Sequence, residues 1–310
     1  MDGVLLLHKP AGMTSHDCVF RIRRLLKVKK VGHTGTLDPD VSGVLPICIG
    51  KATRIAEFLT GASKTYEGEV TLGAATTTED ASGEVIETKK VDRIIQRSEI
   101  EHVLEQLTGE IAQTPPMYSA VKVNGKKLYE YARAGIEVER PTRIVTIHEL
   151  TLLDERETFS GDTVSFRFRV TCSKGTYIRT LAVMIGERLG YPAHMSHLVR
   201  TASGPFSLKD CITFEEIEQY IERGEIEKIL LPIEKALFYL PKYQINDKVA
   251  GKVKNGAILP LPHLLQSLEG PIVVINERKE ALALYIKHPA KPHLIKPLKV
   301  FAEERAKDRR

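Results

Sequence analysis

The chain has no apolar run approaching the roughly 18 residues that a membrane-spanning helix needs. Its opening MDGVLLLHKP offers only Val4 to Leu7 before a charge, too short for the core of a signal peptide, so a cytoplasmic location is expected. Cysteine is scarce. Cys18, Cys48, Cys172 and Cys211 stand far apart, with no C-x-x-C pair and no Cys/His grouping at zinc spacing, and they read as reduced, mostly buried thiols. Internal repeats and low-complexity tracts are missing too, apart from the charged end EERAKDRR (303–310), which is expected to fray.

What is present is an ordinary globular balance: 42% hydrophobic and 27% charged residues argue against wholesale disorder or a fibrous repeat. With 310 residues, one large domain plus a small one is the natural expectation. The net charge of +5 suggests a polyanionic partner without naming one. The bases cluster in RIRRLLKVKK (21–30) and KHPAKPHLIKPLK (287–299), whereas 214–234 is rich in acid.

Periodicity places the elements. Val4 to Leu7 reads as a buried strand ended by Pro10 and Gly12. Thr14 and Asp17 have capping-box spacing ahead of a helical stripe of Val19, Ile22, Leu25 and Leu26. The opposite face of that helix, with Arg21, Arg23, Arg24 and Lys27, suits either plain solvation or contact with phosphates. Tyr66, Gly68, Val70 and Leu72 alternate with polar residues as in a half-buried strand, and VSFRFRVTC (164–172) alternates the same way. Ser98 with Glu101 predicts a second capped helix ending at Gly109; Ile178 to Leu189 predicts another, stopped by Gly190, so Tyr177 and Arg179 sit just past a strand end. Thr213 with Glu216 caps one more. The stretch 113–135 opens on two prolines, turns at VNG and continues as a short basic helix, an excursion from the main fold. Beyond Leu240, apolar runs at 272–275, 281–286 and 298–301 predict a small β-rich unit, with a turn or two of helix near 249–254.

Several chemistries compete for residues 32–54, which include the loop GHTGTLDPDVSGVLPICIG (32–50). A phosphate-binding P-loop is excluded, because Leu45 occupies the position of its first glycine and Ala52 follows Lys51. Metal ligation is poorly supported by His33, Asp38 and Asp40. Two readings remain: Asp38 opens a type I turn with Pro39 second, its side chain capping its own backbone, or Asp38 is an exposed catalytic carboxylate backed by apolar sequence. Both can hold at once.

Seven stretches in order, VLLLHKPAGMTSHDCV, VGHTGTLDPDVSGVLPICIGKATR, SKTYEGEVTLG, TTTEDASGE, PPMYSAVKVNGKKLYEYARAG, CSKGTYIRTLA and HLVRTASGPF, cover most of residues 3–206. On them the chain closely resembles the bacterial TruB-type tRNA pseudouridine synthases, which isomerise the uridine at position 55 in the T-arm of tRNA. The resemblance implies an α/β (mixed α+β) core on a largely antiparallel sheet flanked by helices, spanning 1–240 with an RNA-gripping insertion at about 113–145. It also implies a PUA-like C-terminal RNA-binding domain at 241–310.

Residue by residue, the resemblance implies that Asp38 is the essential aspartate, acting at ribose C1′, at base C6, or by removing the C2′ proton. Arg179 matches the arginine that pairs with it and would keep it ionised. Tyr66 matches the ring that stacks on the flipped uracil, Tyr177 and Leu198 match further pocket walls, and His33 a histidine beside the flipped nucleotide. Arg21, Arg24, Lys30, Arg54, Lys122, Lys126 and Lys127 are candidate phosphate contacts. The reaction exchanges no electrons or groups with solvent, so no metal or cofactor is expected, and a monomer suffices. Competing readings are an RNA-binding protein whose flipping step helps tRNA fold, and a pseudouridine synthase acting at another RNA site.

Overall fold

In the computed structural model, which describes residues 1–267 and 269–301, ten strands form one sheet. The charged end 303–310 lies outside the described residues. Eight strands define the sheet's path: β1 (Gly3–Lys9), β2 (Ser42–Ile49), β3 (Lys64–Leu72), β4 (Gly109–Gln113), β5 (Arg143–Leu152), β6 (Val164–Cys172), β7 (Ala193–Ser203) and β8 (Leu230–Leu231). Their order across the sheet is β8-β1-β2-β7-β3-β6-β5-β4. Every pairing on this path is antiparallel except β2 with β7, which is parallel. The mixed, largely antiparallel sheet expected from the resemblance is therefore present.

Five helices matter for the site: α1 (Ser15–Leu25), α2 (Arg97–Gln106), α3 (Leu128–Arg133), α4 (Ile178–Leu189) and α5 (Phe214–Glu222). The capping boxes at Thr14/Asp17 and Thr213/Glu216 form as expected. The one expected at Ser98/Glu101 does not. Helix α2 begins one residue before Ser98, with Gln96 as cap and Glu99 Oε1 accepting the Gln96 N–H at 2.9 Å. Ile95–Gln96 pairs with Thr158–Phe159, and that pairing holds the chain extended up to the point where the helix starts. Glu101 bonds instead to Arg97, one turn back.

The sheet is buried unevenly, and the sequence texture follows. Strands β3 and β6 alternate because helices α2 and α4 cover one face only: Val70, Leu72, Phe166, Phe168 and Val170 pack with Ile100, Leu104, Leu181 and Ile185. Strand β2 is apolar throughout because both its faces are covered. Leu45 and Ile47 meet Cys18 and Ile22 of α1 and Ile217 of α5, while Val44 and Cys48 on the other side meet Val273, Leu284 and Phe301.

Those last residues belong to a separate five-stranded sheet built from β9 (Lys242–Gln244), β10 (Leu259–Pro260), β11 (Ile272–Ile275), β12 (Ala281–His288) and β13 (Lys291–Val300), in the order β9-β11-β12-β13-β10. The last of these strands starts seven residues before the expected run at 298, so the basic, proline-bearing KPHLIKPLK is a strand and not a linker. This curled sheet is PUA-like. Between β4 and β5 the chain makes the expected excursion: Gln113 and Arg143 are paired neighbours, and residues 114–142 loop out between them, with a tight hairpin at Asn124-Gly125 and then α3.

Candidate active site

The loop between the short strand Val31–His33 and β2 is held from beneath by side chains of β1 and α1. The expected turn forms, with the Val41 N–H donating to the Asp38 carbonyl at 3.1 Å. Lys9, fully buried, donates all three of its protons, to the carbonyls of Pro10, Pro39 and Val41 at 2.8, 2.9 and 2.7 Å. Ser15 Oγ accepts from the Leu37 N–H at 2.8 Å and donates to the Leu37 carbonyl at 3.2 Å. With its backbone satisfied this way, the loop makes no use of the Asp38 carboxylate as a cap.

That carboxylate instead meets Arg179, whose Nε lies 3.0 Å from Asp38 Oδ2. Arg179 stands at the second position of α4, and the helix entry is fixed by the buried side chain of Gln113. Its Oε1 accepts the Tyr177 N–H at 3.0 Å and its Nε2 donates to the Tyr177 carbonyl at 3.2 Å. The rest of the Arg179 guanidinium is spent on the Thr78 carbonyl and the Tyr118 carbonyl, each at 2.9 Å, with Asp80 Oδ2 at 3.6 Å. One buried cation thus ties together the Asp38 loop, the 77–84 loop and the excursion.

The pair opens into a cavity of about 510 Å³ that is also lined by Tyr66, Tyr177 and Leu198. That volume lies within the range of small-molecule sites. The Asp38 side chain is 42% exposed and lines both this cavity and a neighbouring one bounded by Asp80, Ser196 and His197. Burial pushes its pKa up, with Arg179 opposing and Asp80 adding to the rise. Arg179 therefore holds the carboxylate in place against an unfavourable environment without bringing its pKa below the usual carboxylate value. Burial likewise pushes the Tyr66 phenol up, against the pull of Arg200.

His33 is not among the residues lining the cavity; its Nδ1 accepts the Gly35 N–H at 3.3 Å, and burial lowers its pKa, favouring the neutral ring. The candidate phosphate contacts are dispersed. Arg21 bonds to Glu218 at 2.9 Å and stacks over Phe214; Arg54 donates to the Val300 carbonyl of the C-terminal sheet. Arg24, Lys30, Lys122 and Lys126 are exposed, and Lys127 donates to the Tyr129 hydroxyl at 3.2 Å.

Four residues at the cavity, or directly beneath its loop, escaped the sequence reading: Lys9, Lys64, Ser119 and Arg200. Lys9 stands in HKP at the end of an apolar strand, a position where a buried cation gives a weak signal. Ser119, buried in the cavity wall, has a hydroxyl with no hydrogen-bond partner. Arg200 reaches the cavity because β2 and β7 nearly touch at Gly43, where φ is +119° and a Cβ would lie 2.2 Å from the Arg200 carbonyl oxygen. Only glycine permits that approach.

A model of the N-terminal domain of the TruB family of pseudouridylate synthases matches residues 23–178, and a model of the tRNA pseudouridylate synthase B C-terminal domain matches 179–238. The chain belongs to the TruB family. A curated relative, tRNA pseudouridine synthase B of Geobacillus thermodenitrificans, is 74% identical over 97% of this chain and all of its own length. The protein of that name from Bacillus cereus is 64% identical over 97% of each chain. Among solved structures, a Cbf5-Nop10-Gar1 complex matches with a TM-score of 0.72 and 32% identity, over 96% of this chain and 84% of that one. An H/ACA RNP bound to a substrate RNA containing 2′-deoxyuridine matches with a TM-score of 0.71 and 28% identity, over 97% and 85%. As a TruB-family enzyme the protein is a tRNA pseudouridine synthase, an isomerase.

Proposed function

We propose that this enzyme converts uridine 55 in the T-arm of tRNA to pseudouridine, with Asp38 as its reactive group. The observation that carries the reading is the Asp38 carboxylate: its own turn is complete without it, and it lines the cavity, held on Arg179 Nε. In the reaction the C1′–N1 bond breaks, the uracil turns within the cavity, a C1′–C5 bond forms, and the proton on C5 is lost while N1 gains one, so atoms balance with no co-reactant. Whether the carboxylate attacks C1′ or C6 or removes the C2′ proton, it must be ionised, and Arg179 steadies it in that form.

Tyr66, Tyr177 and Leu198 would enclose the flipped base, which must leave its stack to reach Asp38. His33 would act beside the flipped nucleotide from outside the cavity wall. The excursion 114–142 hangs over the cavity through Tyr118, Ser119 and Tyr129, and its exposed Lys122 and Lys126 suit a grip on the T-loop. The reading divides the chain into a catalytic domain at 1–240 with its insertion at about 113–145, and an RNA-binding domain at 241–310. It makes the protein a cytoplasmic monomer.

The test is a synthetic T-arm stem-loop. Asp38→Asn should abolish isomerisation, by a factor of at least about 10³, while binding survives within a few fold. Turnover retained by Asp38→Asn would remove the carboxylate from the mechanism, and pseudouridine lost from a site other than position 55 in cells lacking the gene would refute the T-arm assignment.

A further inference from the structure

The cavity has a second polar end, away from Asp38, and its chemistry differs from that of the catalytic pair. Lys64 on β3 is 6% exposed and Arg200 on β7 is 1% exposed. Among the described residues, no carboxylate lies within 4.0 Å of either. A buried cation ordinarily has a charged partner or a full set of acceptors. Lys9 has the full set, since all three of its protons go to carbonyls, and Arg179 has both kinds. Lys64 and Arg200 have neither. Lys64 Nζ donates to the Thr60 and Ala62 carbonyls, both at 2.5 Å, which leaves one of its three protons. Arg200 donates from Nε to the Val44 carbonyl at 2.8 Å and from Nη2 to the Gly35 carbonyl at 3.2 Å, and its guanidinium also meets the Tyr66 hydroxyl, which leaves part of its five-proton fork without an acceptor.

Both side chains border the same stretch of the cavity wall. A point one bond out from the Gly35 Cα lies 3.7 Å from Arg200 Nη1 and 4.0 Å from Lys64 Cε. Gly35 has φ +124° and carries nothing into that space. Lys174 lines the same cavity. The result is a cationic recess over a bare glycine, beside Tyr66 and with no anion of the protein's own to fill it.

We propose that this recess seats a backbone phosphate adjoining the target uridine, held by the unfilled part of the Arg200 fork and the remaining Lys64 proton. The inference rests on the T-arm reading above and deepens it. A phosphate fixed there would anchor the ribose while the base, on the other side of C1′, is detached and turned at Asp38. The recess thus serves to position the sugar and is not part of the bond-making machinery.

Proton linkage gives the seat a signature. Burial, with Arg200 and Lys174 adding to it and Cys172 opposing, pushes the Lys64 pKa down to about 8. An arriving phosphate raises it again, so binding must take up a proton in more alkaline solution, and affinity falls there by up to tenfold for each pH unit.

The experiment titrates wild-type protein with T-arm stem-loops carrying one neutral methylphosphonate linkage at a time, from pH 7 to pH 9, and repeats the series with Lys64→Met and Lys64→Arg. At pH 7 one linkage next to the target uridine should weaken wild-type binding about tenfold or more, and in Lys64→Met that same linkage should matter little while distant linkages still count. The alkaline loss of affinity should be present in wild type and absent in Lys64→Arg. The proposal is overturned if wild type ignores both linkages flanking the target, if Lys64→Met weakens every RNA by the same factor, or if Lys64→Arg keeps the alkaline loss. If wild type binds none of these stem-loops, the T-arm assignment itself falls and the phosphate seat falls with it.

Discussion

At the scale of single residues, Asp38 is held in an environment that raises its pKa, and this has opposite consequences for activity and stability. Activity needs the ionised form, so kcat measured on a T-arm substrate should fall as pH drops through a value above the ordinary carboxylate pKa of about 3.9. A profile flat down to pH 4 would contradict the raised value. For stability the sign reverses. The folded state prefers the protonated acid, so the ionised group costs stability once pH has risen through both its unfolded and its folded pKa. Asp38→Asn should therefore melt higher than wild type at pH 7, and the difference should close as pH is lowered into the ordinary carboxylate range. Thermal scans across that interval check it.

Ser119 and Lys9 show how far single residues could be read. The turn at Asp38 and Pro39 was legible because its signal is local, two residue types in adjacent positions. The roles of Lys9, Ser119 and Arg200 depend on contacts between segments remote in the chain, and one buried basic residue in an apolar strand looks the same in sequence whether it is saturated by carbonyls or waiting for an anion.

At the scale of elements, the loop's geometry depends on Lys9 reaching out from β1. Lys9→Met keeps the length and apolar stem but takes a donor from three carbonyls: those of Pro10 and Val41 are left without one, while Pro39 keeps the Gly12 N–H at 2.9 Å. We expect a loss of about 1–3 kcal/mol in unfolding free energy, together with a fall in kcat as the loop relaxes. Denaturant melts and single-turnover rates on the same variant separate the two effects, and unchanged kcat would mean that Ser15 and Gly12 suffice to hold the loop. Strands and helices were the most legible feature of the sequence. Alternation in 164–172 predicted strand β6 residue for residue, because only one face of that strand is covered. Two boundaries were misplaced for tertiary reasons: α2 starts where the pairing of Ile95–Gln96 ends, and β13 runs through prolines and lysines because β12 beside it supplies the register.

At the scale of the whole molecule, the two sheets share a core. Val4, Val44 and Cys48 on one side and Val273, Leu284 and Phe301 on the other exclude water together. Leu284→Ala should cost about 2–5 kcal/mol, and calorimetry should show the entire chain melting in one earlier transition. Two separate transitions, with the upper one unmoved, would show that the sheets unfold independently. The sequence suggested a second unit through its change of texture after Leu240, but gave no sign of this adhesion, since apolar residues facing another sheet look like any other core.

Arg179 carries a consequence for how substrate enters. Its bond to the Tyr118 carbonyl latches the excursion over the cavity. Displacing the excursion would remove one of the guanidinium's acceptors and leave a bare N–H beside Asp38. One guanidinium holds both the excursion and the reactive carboxylate, so a shift of the excursion would change the hydrogen bonding around Asp38 while leaving its charges as they are.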